Sequence, residues 1–556
     1  MGILLIIIVV VGGIDLKLNI SQRVMYLSLL LIVLIIGISI GFFFSPLIKV
    51  TIKAEVKPKP IIGILSIYGY MITDDDRELY VNCIKYAYQN NSIIGVIVRI
   101  DSPGGYATIV EDIYYSIKKL REKKPVIAVI EGLAASGGYY VALACDEIIS
   151  VPTAFIGNIG VILRQPYIVI PSESIIESGP YKYAGLSLKE TPFTVRKALN
   201  NFLNAVNESR GNKLEISFNE LTLGKLYLSS EALNYGLIDS LGSYVDAISK
   251  IIEKTNVKEY VTIDLNRILM TNKSITTGQE LWSKGELLTL EMLESIHPEP
   301  ISIYYLSPYY LKSYNLLEPI YSEYQFKINI TFPSELFSQI DNNTVLIDIS
   351  HGNIFTYELL GKFFGKITEY KLKVTLFDIS KLQNLISNYM PKALIIISPR
   401  IEYSSTEIKA IRKYVENGGK LILIYEPSIA SSRYINSIAK TFGIHFSDGY
   451  LYDLNCNYGV HRNIILREFK DHPLTRNIHE LTMLTASHIY GGEIKLAYTL
   501  NTTKLILTDV NEKFNPIVKS GNVIAIADLT FLLDPFVTLS DNEVFMENLV
   551  EYIKYG

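Results

Sequence analysis

The sequence lacks histidine over its first half and contains little cysteine. All seven histidines lie at or after His297, so a nucleophile in the first half has no nearby imidazole in sequence to activate it. Their spacing is not that of metal ligands. The three cysteines, Cys83, Cys145 and Cys456, show no paired spacing, which excludes a disulfide framework and a zinc ribbon. We therefore expect no metal and no cofactor.

An excess of positive charge is also missing. Lys and Arg number 52 and Asp and Glu number 56, giving a net charge of −4. A nucleic-acid-binding protein carries a basic face, so no nucleic-acid partner is expected. At 556 residues the chain is too long for one compact domain, and two or three domains are expected.

One long run near the N-terminus has no charge at all. No charged residue lies between Val24 and Ile48, and about 20 apolar residues suffice to span a bilayer. We predict a transmembrane helix over residues 25–48 and a single-pass membrane protein. The segment 1–24 holds a shorter apolar run, Ile3 to Ile14, whose role stays open. Lysines follow the predicted helix, and the positive-inside rule alone would keep the large domain in the cytoplasm.

Apolar runs and amphipathic segments alternate from residue 61 to 255. Short Val- and Ile-rich strands separated by helices are typical of an α/β domain with a buried sheet. The predicted strands are Ile61–Ile67, Ile93–Ile100, Val126–Ile130 and Glu147–Val151. The predicted helices are Glu78–Gln89, Thr108–Lys123, Ser136–Cys145, Thr194–Asn207 and Tyr244–Ile252.

The rest of the chain divides into an irregular region and a second α/β domain. Residues 256–333 contain the single tryptophan, Trp282, and a patch rich in Tyr and Pro, and are interpreted as an extension and linker. The α/β rhythm resumes over residues 334–556. There a helix over Ser405–Glu416 is predicted to end at Gly418-Gly419, as helices commonly do at glycine.

Two small-residue motifs in the first domain point to nucleophilic catalysis. Asp101-Ser-Pro-Gly-Gly105 follows one predicted strand, and Leu133-Ala-Ala-Ser-Gly-Gly-Tyr-Tyr140 follows another. Ser136 at the start of a helix would lie beside unpaired amides that can hold an oxyanion. The amides of Gly104, Gly105 and Gly137 are the candidate donors. Taken singly, each motif also fits an ordinary strand-to-helix turn.

Five blocks of sequence, in order, resemble the signal peptide peptidase A family of serine proteases, which have the Clp-protease/crotonase fold. They are Ile94–Gly105, Pro125–Val129, Ala134–Tyr140, Gly157–Ile162 and Gly224–Gly242. The family uses a Ser–Lys dyad, with the lysine in a Ser-Gly-x-Tyr/His-Lys context. Ser178-Gly-Pro-Tyr-Lys182 fits that context, so the resemblance implies Lys182 as general base for Ser136. Lys189 and Lys197 are rival assignments, and Pro180 and Asn158 depart from the family pattern.

The resemblance also implies partners and a location. Relatives are thought to build each site from adjacent catalytic domains, and this chain has one such domain, so a homo-oligomer with shared active sites is expected. The substrates implied are peptides with small or apolar residues before the cleaved bond, such as remnant signal peptides. Relatives place the catalytic domain outside the cytoplasm, against the positive-inside rule. An extended substrate would add as a strand to a sheet edge.

The second α/β domain resembles the class I glutamine amidotransferase-like fold. The resemblance rests on Ala393–Ser398, Ile408–Gly419, Leu421–Tyr425 and Gly521–Gly556. Amidotransferases place a nucleophilic cysteine directly after the strand that corresponds to Leu421–Tyr425, where this chain has Glu426. Cys456 lies about thirty residues further on. We therefore expect a binding or docking role and no amidotransferase activity.

Three alternatives to the peptidase stay open on sequence alone. A catalytically inactive membrane scaffold could retain the protease fold. A crotonase-like acyl-CoA enzyme would use the oxyanion loop without needing Ser136, and the joint presence of Ser136 and Lys182 disfavours it. The stomatin-operon partner family shares the Ser–Lys dyad, but the Gly-Gly-Tyr-Tyr and Gly-Asn-Ile-Gly blocks favour the first family.

Overall fold

The computed structural model describes residues 20–44, 59–164, 181, 185–269, 278–297, 301–311, 340–353, 357–506, 508 and 512–556. The chain divides into two compact units, Met1–Lys59 and Pro60–Gly556. The first contains one described helix. The second contains two large sheets and their helices.

The helix of the first unit covers Ile20–Phe44, 25 residues. At 1.5 Å per residue it is about 37 Å long, and Ile20–Ile40 is apolar enough to cross a membrane by length and composition. The helix begins five residues before the predicted start at residue 25. Membrane crossing itself stays a prediction.

The first sheet of the second unit has ten strands. They are β1 Ile61–Met71, β2 Ile93–Tyr106, β3 Val126–Ala135, β4 Glu147–Ser150, β5 Phe155–Gly157, β6 Ile162–Arg164, β7 Leu226–Leu228, β8 Ser240–Leu241, β9 Val261–Asp264 and β10 Ser302–Leu306. The order β6-β10-β2-β3-β4-β8 forms its main path, with β1 on β2, β9 on β1, β5 on β3 and β7 on β5.

The central strands β1 to β4 are parallel, and helices connect them, as parallel pairing requires. The helices around this sheet are Asp74–Gln89, Ala107–Arg121, Gly137–Ala142, Thr191–Arg210, Phe218–Leu221, Ser229–Asn234, Tyr244–Thr255, Leu265–Leu269, Gly278–Ser283 and Leu290–Ile296. The Val- and Ile-rich stretches of β2 and β3 are buried, because helices cover both faces of the sheet. The mixed α/β prediction for this region is confirmed.

The second sheet has eight strands in the order β12-β11-β13-β14-β24-β23-β21-β18. Its members in chain order are β11 Thr344–Asp348, β12 Lys373–Phe377, β13 Ala393–Ile397, β14 Lys420–Ile424, β18 Glu468–Phe469, β21 Ile494–Tyr498, β23 Ile517–Ser520 and β24 Val523–Ile526. Three two-stranded sheets accompany it: β15 Ile444–Phe446 with β20 Ile489–Gly491, β16 Leu451–Tyr452 with β22 Lys504–Leu505, and β17 Asn463–Leu466 with β19 Leu481–Leu484.

Helices line the second sheet, and separate hydrophobic clusters lie on its two faces. The helices are Gly361–Glu369, Leu382–Leu385, Ser405–Glu416, Ser432–Ala439 and Asn542–Tyr555. Ser405–Glu416 begins with a capping box between Ser404 and Glu407. The chain leaves this helix through Gly418 at a φ of 96°, a conformation that favours glycine.

Two strands lie in the region that the sequence assigned to an extension and linker, 256–333. β9 pairs with β1 in parallel, and β10 pairs antiparallel with both β2 and β6. Four or five residues are too few to show a clear period of two, and β10 follows Pro298 and Pro300, which favour a loop interpretation. The first sheet therefore extends further along the chain than predicted.

Acid is expected to destabilise the second sheet region through His488. Its Nδ1 accepts a hydrogen bond from the Asn515 amide at 3.0 Å, and burial lowers the pKa of His488 to about 4. The unfolded chain, with a histidine pKa of about 6.5, takes up the proton first as pH falls. Stability is therefore complete above about pH 6.5 and declines toward pH 4.

Between pH 7 and pH 5 this histidine should remove about 2 kcal/mol of unfolding free energy. His488→Gln, which keeps an acceptor but does not titrate, should show a smaller loss over the same interval. Chemical denaturation of both proteins at the two pH values measures the difference. Equal losses would show that His488 does not carry the acid sensitivity.

Candidate active site

Ser136 lies in a strained turn between β3 and the helix Gly137–Ala142. Its φ is 51° and its ψ is −114°, a conformation that costs a non-glycine residue energy and is found mainly at functional sites. The Ser136 amide donates to the Gly157 carbonyl at 2.8 Å, and the Ser136 carbonyl accepts from the Tyr140 amide at 2.9 Å. The surrounding backbone thus fixes the turn.

The Ser136 side chain is buried but weakly engaged. The residue is 1% exposed, and its hydroxyl points to the Gly160 carbonyl at 3.5 Å, which is long for an O–H···O hydrogen bond. A buried hydroxyl that is held by a strained backbone, and that has no short partner among the described residues, is suited to react with a bound group.

The glycine motif at the end of β2 packs backbone to backbone against this turn. A Cβ on Gly104, whose φ is 101°, would fall 2.0 Å from the Tyr305 carbonyl oxygen and 2.7 Å from the Gly137 nitrogen. A Cβ on Gly138 would fall 2.5 Å from the Ser102 carbonyl oxygen. Only glycine permits these approaches, so the two motifs form one site.

The three predicted oxyanion donors differ in what they already bind. The Gly104 amide donates to the Ser102 hydroxyl oxygen at 3.1 Å, and that hydroxyl donates to the Gly69 carbonyl at 2.6 Å. Gly104 therefore uses its N–H to hold the loop. Gly105 lies opposite Tyr305 in the register of β10, and Gly137 directly follows Ser136.

Two further blocks of the family resemblance meet at the same place. Asn158, at a φ of 50°, donates through its amide to the Lys225 carbonyl and through its side chain to the Gly224 carbonyl, both at 2.7 Å. Because Gly157 also accepts from Ser136, these blocks buttress the serine turn. Asn158, which departs from the family pattern, therefore has a structural role here: its two hydrogen bonds connect the two blocks.

The candidate base, Lys182, lies outside the described residues. Of its rivals, Lys189 donates through Nζ to the Thr538 hydroxyl, and Lys197 is exposed on the helix Thr191–Arg210. Asp101 lies beside Gly132, whose added Cβ would fall 2.8 Å from its carboxylate. Burial raises the pKa of Asp101, while a hydrogen bond from the Leu133 backbone acts against that rise. Its contacts fit a role in ordering the loop.

An aromatic pocket beside the serine turn was not foreseen from the sequence. Tyr305 of β10 is 1% exposed and stacks on Tyr140, with ring centroids 5.0 Å apart. Its hydroxyl donates to Glu111 Oε1 at 2.9 Å. Burial raises the pKa values of Tyr305 and Tyr140. The run Ser302–Leu306 is apolar and aromatic in sequence, but only tertiary pairing shows where it lies.

The second sheet offers no reactive thiol in the described part of the chain. Glu426 follows β14 and is buried, and its carboxylate accepts from the Ser428 and Thr530 hydroxyls. Burial and then the charge of Glu426 raise the pKa of Asp528. Burial also raises the pKa of Cys456, which keeps its thiol protonated. Among described residues no group of three or more His, Cys, Asp or Glu side chains is placed to hold a metal.

Comparison with known proteins places this site in a family. The model of peptidase family S49 matches residues 118–258. A putative protease of Synechocystis is 34% identical over 190 residues, which cover 32% of this chain and 68% of the relative. The chain belongs to peptidase family S49. Its relatives include the chloroplastic serine protease SPPA of Arabidopsis thaliana, 29% identical over 39% of this chain and 36% of the relative, and membership supports a serine peptidase.

The likeness is confined to part of each protein. A putative protease of Methanocaldococcus jannaschii is 31% identical, and the match covers 33% of this chain and 63% of the relative. The chain thus spans less than two thirds of several relatives. Residues 335–489 match a different family, described as an uncharacterised protein conserved in bacteria. The amidotransferase-like fold is not supported by that match and stays a prediction.

The similarity to solved structures is low, both in sequence identity and in TM-score. A membrane-bound stomatin-specific protease in complex with a substrate peptide is 23% identical with a TM-score of 0.24, covering 41% of this chain and 98% of that one. ClpP1 of Listeria monocytogenes is 16% identical with a TM-score of 0.24, covering 33% and 94%.

The close contact of the two glycine motifs predicts a steep cost for a side chain at Gly104. Gly104→Ala adds a methyl group at a positive φ, about 1–2 kcal/mol, and overpacks the loop against backbone, about 1–3 kcal/mol more. Gly160→Ala is the matched control, since its Cβ would meet nothing within 4 Å, and should change stability by less than about 0.5 kcal/mol. Thermal unfolding of the wild type and of the two variants measures these stability changes. Equal stabilities would refute the packing described.

Proposed function

We propose that this chain is a membrane-anchored serine endopeptidase with Ser136 as nucleophile and Lys182 as general base. The observation that carries the proposal is the Ser136 turn. A buried serine at a φ of 51° packs against a glycine motif in a member of a serine peptidase family. The strained backbone is stabilised by three separate segments, which is typical of a functional residue.

A lysine base is consistent with the absence of histidine before His297. A free lysine has a pKa of about 10.4, so roughly one in a few thousand is neutral at pH 7. Burial can lower that pKa by up to about 3–5 units and produce a competent base. The commitment of Lys189 to Thr538 and the exposure of Lys197 favour Lys182 over both.

The reaction proposed is acyl transfer to water. Neutral Lys182 removes the Ser136 hydroxyl proton as Oγ attacks the scissile carbonyl, and the amine leaves with a proton from the lysine. Water then releases the acyl group and regenerates the serine. We assign the oxyanion to the amides of Gly105 and Gly137. Gly104, a third candidate donor, acts instead through its bond to Ser102 as a positioning residue.

Anchor, assembly and substrate are part of the same proposal. The helix Ile20–Phe44 would anchor the enzyme in the membrane as a single-pass protein, with the catalytic part outside the cytoplasm. A homo-oligomer would bring catalytic regions together with shared active sites. One relative, from Enterococcus faecium, is described as a putative signal peptide peptidase, which supports peptide substrates such as remnant signal peptides.

For the second sheet region we propose a docking role without amidotransferase activity. The carboxylate of Glu426 stands where an amidotransferase-like fold would present its nucleophile, and it is satisfied by hydroxyls of neighbouring residues. Arg196 of the helix Thr191–Arg210 donates to Asn457 and to the Gly459 carbonyl. The region is thereby attached to the helix Thr191–Arg210, which belongs to the region of the first sheet.

Loss of either dyad member should abolish hydrolysis. We expect the full-length protein in detergent to cleave unfolded casein and an Ala-rich peptide, and Ser136→Ala and Lys182→Ala to lose at least about 10³-fold in rate. Lys197→Ala, an exposed lysine nearby in sequence, should retain full activity. The rates are measured on proteins whose oligomeric state is unchanged.

Two results would contradict the proposal. Equal rates in wild type and Ser136→Ala would assign hydrolysis to another nucleophile or to a contaminant. Loss of activity in Lys197→Ala but not in Lys182→Ala would move the general base. A correctly assembled wild-type protein with no hydrolysis of either substrate would favour the inactive scaffold.

A further inference from the structure

The strand β10, Ser302–Leu306, lies between β2 and β6 in the first sheet, next to the turn that carries Ser136. β3 pairs with β2 as far as Ser102, while β1 follows the other edge of β2 to Gly105. β10 pairs with Gly104 to Tyr106, so it takes the edge that β3 leaves just before the Ser136 turn. Its other neighbour is β6, Ile162–Arg164.

Extended peptides are bound as an added strand whose backbone pairs with a sheet edge. β10 pairs antiparallel on both sides, between the glycine motif and a strand that continues from the Gly157–Ile162 block. It therefore has the surroundings expected of a bound peptide.

The Tyr305 carbonyl oxygen lies against the two glycine motifs that carry the candidate oxyanion donors. Added Cβ atoms on Gly104 and Gly137 would fall 2.0 Å and 2.7 Å from its oxygen, and Tyr305 lies opposite Gly105 in the register. A peptide bound in this register, with that carbonyl turned to the amides of Gly105 and Gly137, would have the equivalent of Tyr305 before the scissile bond and that of Leu306 after it.

The side chain of Tyr305 fills a pocket that matches its chemistry. Tyr140 stacks on its ring at an interplanar angle of 14°, and Phe202 lies against it with centroids 5.3 Å apart. Glu111 accepts the phenol hydrogen bond at 2.9 Å. Aromatic walls and an acceptor at the end suit a tyrosine and leave a small apolar side chain without contacts.

We propose that Ser302–Leu306 occupies the peptide-binding position of this site, and that the pocket around Tyr305 selects peptides with tyrosine before the cleaved bond. This inference rests on the proposed function and makes its substrate class specific. It departs from the small or apolar residues that the family resemblance implies. It also means that the strand must leave before a substrate binds.

The strand is attached by contacts that a substrate does not need. Arg164 donates to the His297 carbonyl at 2.6 Å and to the Ser302 hydroxyl at 3.2 Å. Tyr304 contacts His297 through its hydroxyl at 3.1 Å, and its side chain packs in a cluster separate from that of Tyr305. Substitution of Tyr305 therefore weakens the strand at the pocket and leaves these contacts in place.

The test is peptide binding to the full-length protein in detergent, measured by fluorescence anisotropy. The probes are labelled peptides that differ only at one position, with Tyr, Phe or Ala. Ser136→Ala is the common background, so that no probe is cleaved. In that background, Tyr305→Ala should bind the Tyr peptide at least tenfold more tightly than the background protein does, because the competing strand has lost its side chain in the pocket.

Two further variants separate this effect from general loosening. Tyr305→Phe keeps the ring and removes only the hydroxyl, with its hydrogen bonds to Glu111 and to the Ala198 carbonyl. It should give a smaller gain, which keeps the test valid if Tyr305→Ala folds poorly. Tyr309→Ala alters an exposed tyrosine outside the strand and should change nothing. With Tyr305→Ala, the Tyr peptide should bind about tenfold more tightly than the Phe peptide, and Glu111→Leu should remove that preference.

The binding test and the hydrolysis test can fail independently, so failure of this inference is distinguishable from failure of the proposed function. If Ser136-dependent hydrolysis is observed but Tyr305→Ala gains no affinity, or prefers Ala to Tyr, the inference is overturned and the proposed function stands. If Tyr305→Ala gains affinity for the Tyr peptide while no protein hydrolyses it, the pocket is a binding site and the peptidase is overturned.

Discussion

The backbone contact between two glycine-bearing motifs governs the arrangement of the first sheet. Ser102-Pro-Gly-Gly105 and Ser136-Gly-Gly138 approach so closely that a Cβ at Gly104 or Gly138 would overlap the opposite main chain. The contact requires β2 and β3 to end side by side, and it lies directly beside Ser136, whose φ is positive. The strain at one residue is thus held by the packing of two whole strands.

Much of this arrangement could be predicted from the sequence. The runs that form β1 to β4 are continuous Val- and Ile-rich segments, and the helices between them show strong amphipathic patterns, so local information was sufficient. Ser136, Gly105 and Gly137 were identifiable because small residues after a buried strand have few other uses in this combination. The structure packs the two motifs that carry these residues against each other, and their roles stay a proposal.

What the sequence could not show depends on long-range pairing. β10 has five residues, and its place beside β2 arises from contacts with segments about 140 and 200 residues earlier in the chain. The bond between the Gly104 amide and the Ser102 hydroxyl likewise depends on the fold of the loop. The first feature brings the Tyr305 carbonyl against the glycine motifs, and the second engages the Gly104 amide, one of the three candidate oxyanion donors, within its own loop.

We propose Ser136 as an activated nucleophile, and covalent labelling is the most direct test of this role. The intact protein is treated with a fluorophosphonate, and the modified residue is located by peptide mapping with mass spectrometry. We predict modification of Ser136, with a rate that falls sharply in Lys182→Ala. Exclusive modification of another serine, or equal labelling of Ser136 in Lys182→Ala, would contradict it.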